Sequence, residues 1–313
     1  MISVEHLTKR YGDVLAVDDL SFTIEDGHIY GFLGPNGAGK STTLNIMTGC
    51  LAATSGDVKI DGHDIYEDER AAKRLIGYLP EIPPLYIDQT PREYLRFVAE
   101  AKGIKKADRE ADIDRVIAET HIEEMQNRLI KHLSKGYRQR VGIAQALLGN
   151  PSVIILDEPT VGLDPMQIIE IRDLIAELGK KHTVILSSHI LPEIQAICEK
   201  VLIIYKGKLV AFDNIENLGK TLSSGTNIEI LTGGDPAETI EVITNTDSIE
   251  CYEQKEQEDE FNSFILSTKD DNPLKVCSNL SSAFAENGIP LATINPVHTT
   301  LEDIFIELTE EAQ

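Results

Sequence analysis

A short glycine-rich segment, GPNGAGKS at 34–41, combines residue types that suit the binding of a polyphosphate. It satisfies the pattern G-x-x-x-x-G-K-[ST] and lies between an apolar run and a helical pattern. In such a loop, backbone N–H groups wrap the phosphates, the lysine reaches the terminal phosphates and the hydroxyl holds Mg²⁺. The motif predicts a nucleotide site with the candidate contacts Gly34, Pro35, Asn36, Gly37, Ala38, Gly39, Lys40, Ser41 and Thr42.

Two adjacent carboxylates follow another apolar run, VIILDEP at 153–159. Asp157, at the end of a buried strand, can hold Mg²⁺ through its water shell, together with Ser41. Glu158 is placed one residue later, where it can polarise a water that attacks the terminal phosphate. The pair therefore predicts hydrolysis of the bound nucleotide, with Lys40 and Glu158 as catalytic residues.

A second candidate anion site lies at 133–140, where the sequence is LSKGYRQR. A serine precedes a helical pattern and is surrounded by a lysine, a glycine and two arginines. Helix N-termini collect unpaired backbone N–H groups and a partial positive charge, so this segment also suits a phosphate.

The pattern of the strands and helices that must position these residues predicts an α/β fold. Apolar runs of strand length alternate with helical patterns to about residue 218, which is typical of a mostly parallel sheet. PSVIILDEP predicts a central strand that is covered on both faces, and KVLIIYKGKLVAFD predicts two edge strands around a Lys-Gly turn.

Two further regions depart from that alternation. Residues 85–150 are mostly helical in pattern, and PREYLRFVAEAKG has a proline at its start and a glycine at its stop. We interpret this region as a helical insert within a domain that spans 1–220. Residues 221–313 read as βαββαβ followed by a last helix at TLEDIFIELTEE, which predicts a small ferredoxin-like α+β domain.

Composition and charge limit the possible functions. Apolar residues make up 42% of the chain and charged residues 26%, as in a soluble globular protein. No run approaches the length of a membrane span and no signal peptide is apparent, so we expect a cytoplasmic chain. The net charge is −23, and residues 221–313 hold 19 acidic and 3 basic side chains, so nucleic acid is not expected as a partner. The four cysteines are scattered and predict neither a disulfide framework nor a metal site.

These motifs together resemble those of the ATP-binding-cassette (ABC) ATPases, which carry a P-loop domain with a helical insert. In that family the LSGGQ motif opens a helix and contacts the γ-phosphate bound by the other subunit of a head-to-tail dimer. The resemblance implies that Ser134 and the N–H of Gly136 act in this way. Lys135 and Tyr137 depart from the commonest form of the motif.

The resemblance assigns four more residues. Tyr11 matches the aromatic residue that stacks on adenine, and Asp164 belongs to VGLD, the loop that carries contacts across the dimer. His189 matches the switch histidine that senses the γ-phosphate, and it joins the predicted catalytic residues. Glu81 stands where many relatives have a glutamine that contacts Mg²⁺, so we expect Glu81 to be a metal-proximal coupling residue.

On this resemblance, the cofactors are ATP and Mg²⁺, and the chain hydrolyses ATP to drive separate transmembrane permease subunits. GYLPE, LSKGYRQRVGIAQALL and TLEDIFIELT resemble the bacterial exporter branch that includes gliding-motility, sodium, drug and copper-related subunits. We expect a homodimer, or a pair with a related ATP-binding subunit, on the cytoplasmic face of the cell membrane. The alternative is a soluble ABC ATPase that acts on DNA or ribosomes. The role of the C-terminal domain stays open among regulation, dimer support and structural capping.

Overall fold

The structure, a computed structural model, describes residues 1–215, 217, 218, 226–246, 248–255, 261–268, 270, 272–297 and 305. These residues form two compact units, the first of which ends at Ile215. The predicted boundary at 220/221 and the predicted acidic turn at 256–260 lie outside the described residues. All of the predicted last helix at 300–311 except Phe305 also lies outside them.

The described residues of the first unit form ten strands and seven α-helices. The strands are β1 (Ile2–Tyr11), β2 (Val14–Ile24), β3 (Ile29–Leu33), β4 (Ser55–Ile60), β5 (His63–Asp64), β6 (Ile76–Leu79), β7 (Val153–Asp157), β8 (Thr183–Ser188), β9 (Lys200–Tyr205) and β10 (Lys208–Asn214). The helices are α1 (Lys40–Met47), α2 (Glu69–Arg74), α3 (Pro91–Ala101), α4 (Arg109–Glu119), α5 (Lys135–Leu147), α6 (Pro165–Gly179) and α7 (Leu191–Ile197).

A six-stranded sheet in the order β10-β9-β3-β8-β7-β6 confirms the predicted α/β class. Strands β9, β3, β8, β7 and β6 are parallel, and β10 is antiparallel to β9. The carboxyl ends of β3, β6, β7 and β8 therefore meet at one edge of the sheet. This edge carries the phosphate loop, Glu81, the Asp157–Glu158 pair and His189.

The prediction of two edge strands around the Lys-Gly turn was wrong for one of them. β10 is an edge strand, but β9 lies between β3 and β10. Its central residues, Val201 to Ile204, are fully buried, as expected of a strand covered on both faces. The continuous apolar run VLII was the signal for an interior position.

A second sheet, in the order β2-β1-β4-β5, is antiparallel and was not predicted. β1 and β2 are joined at Gly12 and Asp13, a two-residue connection of the kind that closes a β-hairpin. The buried face of this sheet packs with α1 against the six-stranded sheet in one core cluster. Ala38 of the phosphate loop and Leu44, Ile46 and Met47 of α1 belong to that cluster, so it supports both the loop and the helix.

The helical region contains α3, α4 and α5 with two short 3₁₀ turns, Glu123–Met125 and Ile130–His132. α3 begins at the predicted Pro91, and Thr90 and Glu93 form a reciprocal capping box at its start. The chain leaves α3 through Gly103, which has a φ of 74°.

The second unit contains β11 (Thr226–Thr232), α8 (Pro236–Thr244), β12 (Ile249–Gln254), β13 (Asn262–Thr268), α9 (Pro273–Glu286) and β14 (Leu291–Val297). Its described strands form an antiparallel sheet in the order β12-β13-β11-β14. A core cluster that includes Ile228, Phe264 and Phe284 lies between this sheet and its helices. The order along the chain is βαββαβ.

Candidate active site

The phosphate loop connects β3 to α1 in a conformation that its glycines make possible. Gly37 and Gly39 have φ angles of 80° and 106°, in the left-handed region that favours glycine. A Cβ on Gly34 would lie 2.3 Å from the carbonyl oxygen of Ile204, so a larger residue cannot occupy that position. The loop therefore brings its backbone N–H groups to the N-terminus of α1, where an anion is stabilised.

Lys40, the first residue of α1, extends its side chain back along the loop. Its Nζ donates a 2.7 Å hydrogen bond to the carbonyl oxygen of Gly34, and the residue is 5% exposed. Burial lowers the pKa of the Lys40 ammonium, whereas the carboxylates of Glu158, Asp157 and Glu81 oppose that shift. Nζ lies 3.7 Å from a Glu158 carboxylate oxygen, so the cation and the candidate base share one pocket.

Asp157 is the last residue of β7 and receives two hydroxyl hydrogen bonds. The Ser41 and Ser187 Oγ atoms donate to its Oδ1 at 3.2 and 2.6 Å. Carboxylate and hydroxyl oxygens are the ligands that a hard cation such as Mg²⁺ prefers. Ser187 was not among the predicted site residues, and two serines at the end of an apolar strand were the available signal.

Glu158 is held in an uncommon backbone conformation, with a φ of 48°. Its N–H donates to Ser187 Oγ at 2.9 Å, which fixes the turn after β7. The His189 Nδ1 lies 3.0 and 3.1 Å from the two carboxylate oxygens of Glu158. Because Glu158 is 7% exposed, its carboxylate is shielded from bulk water.

Lys40, Ser41, Glu158 and His189 line one cleft of about 500 Å³, and Asp157 contacts it through Ser41. The phosphate loop and the start of α1 provide most of its wall, and Glu81, Glu158 and His189 face it from the neighbouring strand ends. Ala16 and Val161 also contribute and were not predicted. The structure thus brings the predicted phosphate, metal and catalytic residues together, including Glu81.

Six predicted nucleotide contacts are not among the described residues that line the cleft: Gly34 and Ala38 of the phosphate loop itself, and Tyr11, Ser134, Gly136 and Asp164 outside it. Tyr11 ends β1 and is 48% exposed, and the Lys9 Nζ lies 5.1 Å from the centre of its ring. The ring is thus partly accessible for stacking and already adjacent to a cation.

Ser134 and Asp164 cap neighbouring helices. Ser134 Oγ accepts from the Tyr137 N–H at 3.3 Å at the start of α5. Asp164 Oδ1 accepts from the Gln167 N–H at 2.9 Å at the start of α6. Gly136 is buried, and a Cβ there would lie 2.9 Å from the Gln167 side chain, so the two helix starts are packed together.

The Lys135 side chain joins these two segments as well. Its Nζ occupies the space beside Gly162, only 2.2 Å from where a Cβ would be. Gly162 also has a φ of 69°, so its backbone conformation disfavours a larger residue there. Residues 133–137, LSKGY, match the LSGGQ motif and are called the signature segment. The signature segment and the VGLD segment therefore form one continuous surface, the signature surface, which includes the signature serine, Ser134.

The sequence profile of the family described as ABC transporter matches residues 17–161, which include the phosphate loop, the signature serine and the Asp157–Glu158 pair. The bacitracin transport ATP-binding protein BcrA of Bacillus licheniformis is 35% identical over 98% of this chain and 97% of its own length. The chain belongs to the ABC transporter family of ATP-binding proteins.

Other relatives of this ABC ATPase agree with that assignment. An uncharacterized ABC transporter ATP-binding protein of Bacillus subtilis is 34% identical over the whole of this chain and 97% of its own length. A solved ATP-binding cassette in a post-hydrolysis dimeric state with ADP and Pi is 26% identical, with a TM-score of 0.61. The alignment covers 68% of this chain and 98% of that chain. The cbiO1 structure from Clostridium perfringens is 28% identical over 71% of this chain and 95% of that chain, with a TM-score of 0.62.

Proposed function

We propose that this ABC ATPase powers an exporter, and that two copies close head to tail around two Mg·ATP. The observation that carries this proposal is the location of Ser134 and Asp164. Both are exposed, and Ser134 lies at a helix N-terminus that suits a phosphate, yet neither residue lines the cleft of its own chain. A second copy, or a related ATP-binding subunit, would place the same surface over the γ-phosphate in this cleft.

Within the cleft, the chain's own residues provide binding, proton transfer and charge stabilisation. The loop N–H groups and Lys40 hold the β- and γ-phosphates. Glu158 accepts the proton of the attacking water, for which its buried carboxylate is positioned. His189 Nδ1 contacts Glu158, which leaves Nε2 to bond the γ-phosphate, so the ring can join the two groups. These groups accelerate transfer to water by positioning and electrostatics, without a covalent intermediate.

The residues also fit a magnesium ion. Ser41 and Asp157 are already in contact through oxygen atoms, and Glu81 faces the same cleft. The ion would neutralise charge on the β- and γ-phosphates when it is bound. Ser41, Asp157 and Glu81 are the residues that we assign to it.

An exposed apolar patch supports a membrane partner. Four large apolar side chains are exposed here: Ile82 (82%), Ile87 (51%), Tyr86 (48%) and Phe97 (48%). The ring centres of Tyr86 and Phe97 lie 5.2 Å apart. The patch begins one residue after Glu81. Among the described residues, no helix is long and apolar enough to cross a membrane. We assign the patch to separately encoded transmembrane subunits, which would hold the chain at the cytoplasmic face.

Two observations favour export as the direction of transport. One relative is named for bacitracin transport, and the sequence motifs resemble those of a bacterial exporter branch. Both favour the movement of a compound out of the cell. The transported substrate would be bound by the membrane subunits.

A pull-down with a tagged Glu158→Gln variant tests this function. The variant should hold ATP without hydrolysing it, and so keep the closed pair intact in detergent-solubilised, ATP-treated membranes. A polytopic membrane protein in stoichiometric amount is the expected co-purifying partner. Recovery with ribosomes or DNA-bound proteins in the soluble fraction would instead support the soluble ATPase.

A further inference from the structure

A buried carboxylate in α7, Glu193, links two segments of the active site. Glu193 is 5% exposed, and its Oε2 accepts a 2.6 Å hydrogen bond from Thr160 Oγ1 and a 3.1 Å bond from Ser188 Oγ. Thr160 lies two residues after Glu158, and Ser188 lies one residue before His189. One oxygen atom therefore connects the segment of the candidate base to that of the candidate switch histidine.

The same contacts shape the turn that carries His189. Ser188 Oγ, while it donates to Glu193, also accepts from the Ile190 N–H at 3.0 Å. The Glu193 N–H donates in turn to the Ile190 carbonyl oxygen at 3.1 Å. The residues on either side of His189 in the chain, Ser188 and Ile190, are thus both hydrogen-bonded to Glu193.

The chemistry of Glu193 is unusual for a purely structural position. Among the described residues, no lysine, arginine or histidine forms an ion pair with it. A buried carboxylate without a cation is costly in free energy, and a well-packed apolar residue at such a place is commonly as stable. Hydroxyl donors reduce that cost, because each is a charge-assisted hydrogen bond with a defined direction.

We propose that Glu193 is a positioning residue for ATP hydrolysis, which keeps the Glu158 and His189 segments in register. It does not line the nucleotide cleft, so it acts through Thr160 and Ser188. This inference rests on the roles assigned above to Glu158 and His189. Loss of the link would let the two segments move independently, and small displacements of reacting groups reduce turnover strongly.

Thr160→Val is the most informative variant, because it replaces one hydroxyl by a methyl group of the same shape. In the purified full chain we expect kcat to fall roughly tenfold or more, with KM for ATP and the number of ATP molecules bound per chain unchanged. Glu193→Leu should lower kcat at least as much. The double variant should be no worse than Glu193→Leu alone, because both changes break one link.

Two controls separate positioning from stability. Thr160→Ser keeps the hydroxyl and should restore turnover to near the wild-type rate. Thr120→Val removes another buried threonine hydroxyl, which donates to the Val116 carbonyl oxygen at 2.7 Å outside the site. It should lower Tm by an amount similar to that of Thr160→Val while it leaves kcat unchanged.

Parallel measurement of Glu158→Gln separates a failure of the Glu193 link from a failure of the assigned base. Wild-type kcat in Thr160→Val, with Glu158→Gln inactive, would overturn the role of Glu193 alone. A fall in kcat that only matches a loss of ATP-binding sites would also overturn it. Wild-type turnover in Glu158→Gln would overturn both the assigned base and this inference.

Discussion

At the scale of single residues, we assign to Ser134 two functions that can be separated by substitution. Its hydroxyl caps α5 through the Tyr137 N–H, and in the proposed dimer it faces the partner's γ-phosphate. Serine, aspartate and asparagine cap helices about equally well. Only aspartate adds a negative charge at this place.

Ser134→Asp should therefore keep Tm close to that of the wild type and lower ATPase activity by more than about tenfold, because the carboxylate repels the γ-phosphate. Ser134→Asn, which also caps α5 but is neutral, should retain more activity. Steady-state phosphate release and thermal unfolding measure the two effects. Equal activity of the two variants would show that no phosphate approaches this position.

Glu81 allows a second residue-level prediction. If its carboxylate is close to the bound metal, Glu81→Gln should raise the Mg²⁺ concentration for half-maximal ATPase activity by roughly tenfold. Glu67→Gln, a change at an exposed glutamate outside the cleft, is the matched control and should leave the Mg²⁺ dependence unchanged. An unaltered rate and Mg²⁺ dependence in Glu81→Gln would remove Glu81 from the metal site.

At the scale of elements, local sequence signals predicted the parts of the fold that depend on neighbouring residues. The strand, glycine-rich turn and helix around the phosphate loop are where the sequence placed them, as is the start of α3 at Pro91. The antiparallel sheet was missed because it depends on which strands pair across the chain, whereas the interior position of β9 had a local signal in its apolar run VLII. The one local signal for the hairpin of β1 and β2 was the turn pair Gly12-Asp13.

The site residues that the sequence predicted are likewise those with a local signal. Lys40, Ser41, Asp157 and Glu158 belong to contiguous motifs, whose chemistry can be recognised without a structure. Glu193 could not be predicted in this way. A single glutamate in a short helix normally faces solvent, and its partner Thr160 is 33 residues away.

The apolar patch next to α3 provides an element-level prediction. Phe97→Glu should prevent co-purification of the transmembrane partner and leave the ATPase activity of the isolated chain unchanged, because Phe97 is 48% exposed and lies outside the cleft. Leu274→Glu, at another exposed apolar residue, is the control for added charge. Retention of the membrane partner by Phe97→Glu would show that the subunits dock elsewhere.

At the scale of the whole molecule, the proposed active site is complete only when two chains meet. The phosphate loop, Glu158 and His189 line one cleft, whereas Ser134 lies on another surface of the same chain. Head-to-tail pairing would join each cleft to the signature surface of its partner. The net charge of −23 opposes such pairing, so contacts with the bound nucleotide would have to supply much of the attraction.

Mixing two inactive variants tests this central claim most directly. Ser134→Asp has an intact cleft and Glu158→Gln has an intact signature surface. A mixed pair would therefore contain one fully intact site, whereas pairs of identical variants would contain none. The phosphate released in a single turnover, by equal amounts mixed before ATP is added, is the measurement.

If Ser134 acts on the nucleotide of its partner, the mixture should release about a quarter of the wild-type yield, because random pairing makes half of the dimers mixed and each has one intact site. Each variant alone should release almost none. A mixture as inactive as its two components would contradict the account, because the signature surface would then serve the cleft of its own chain.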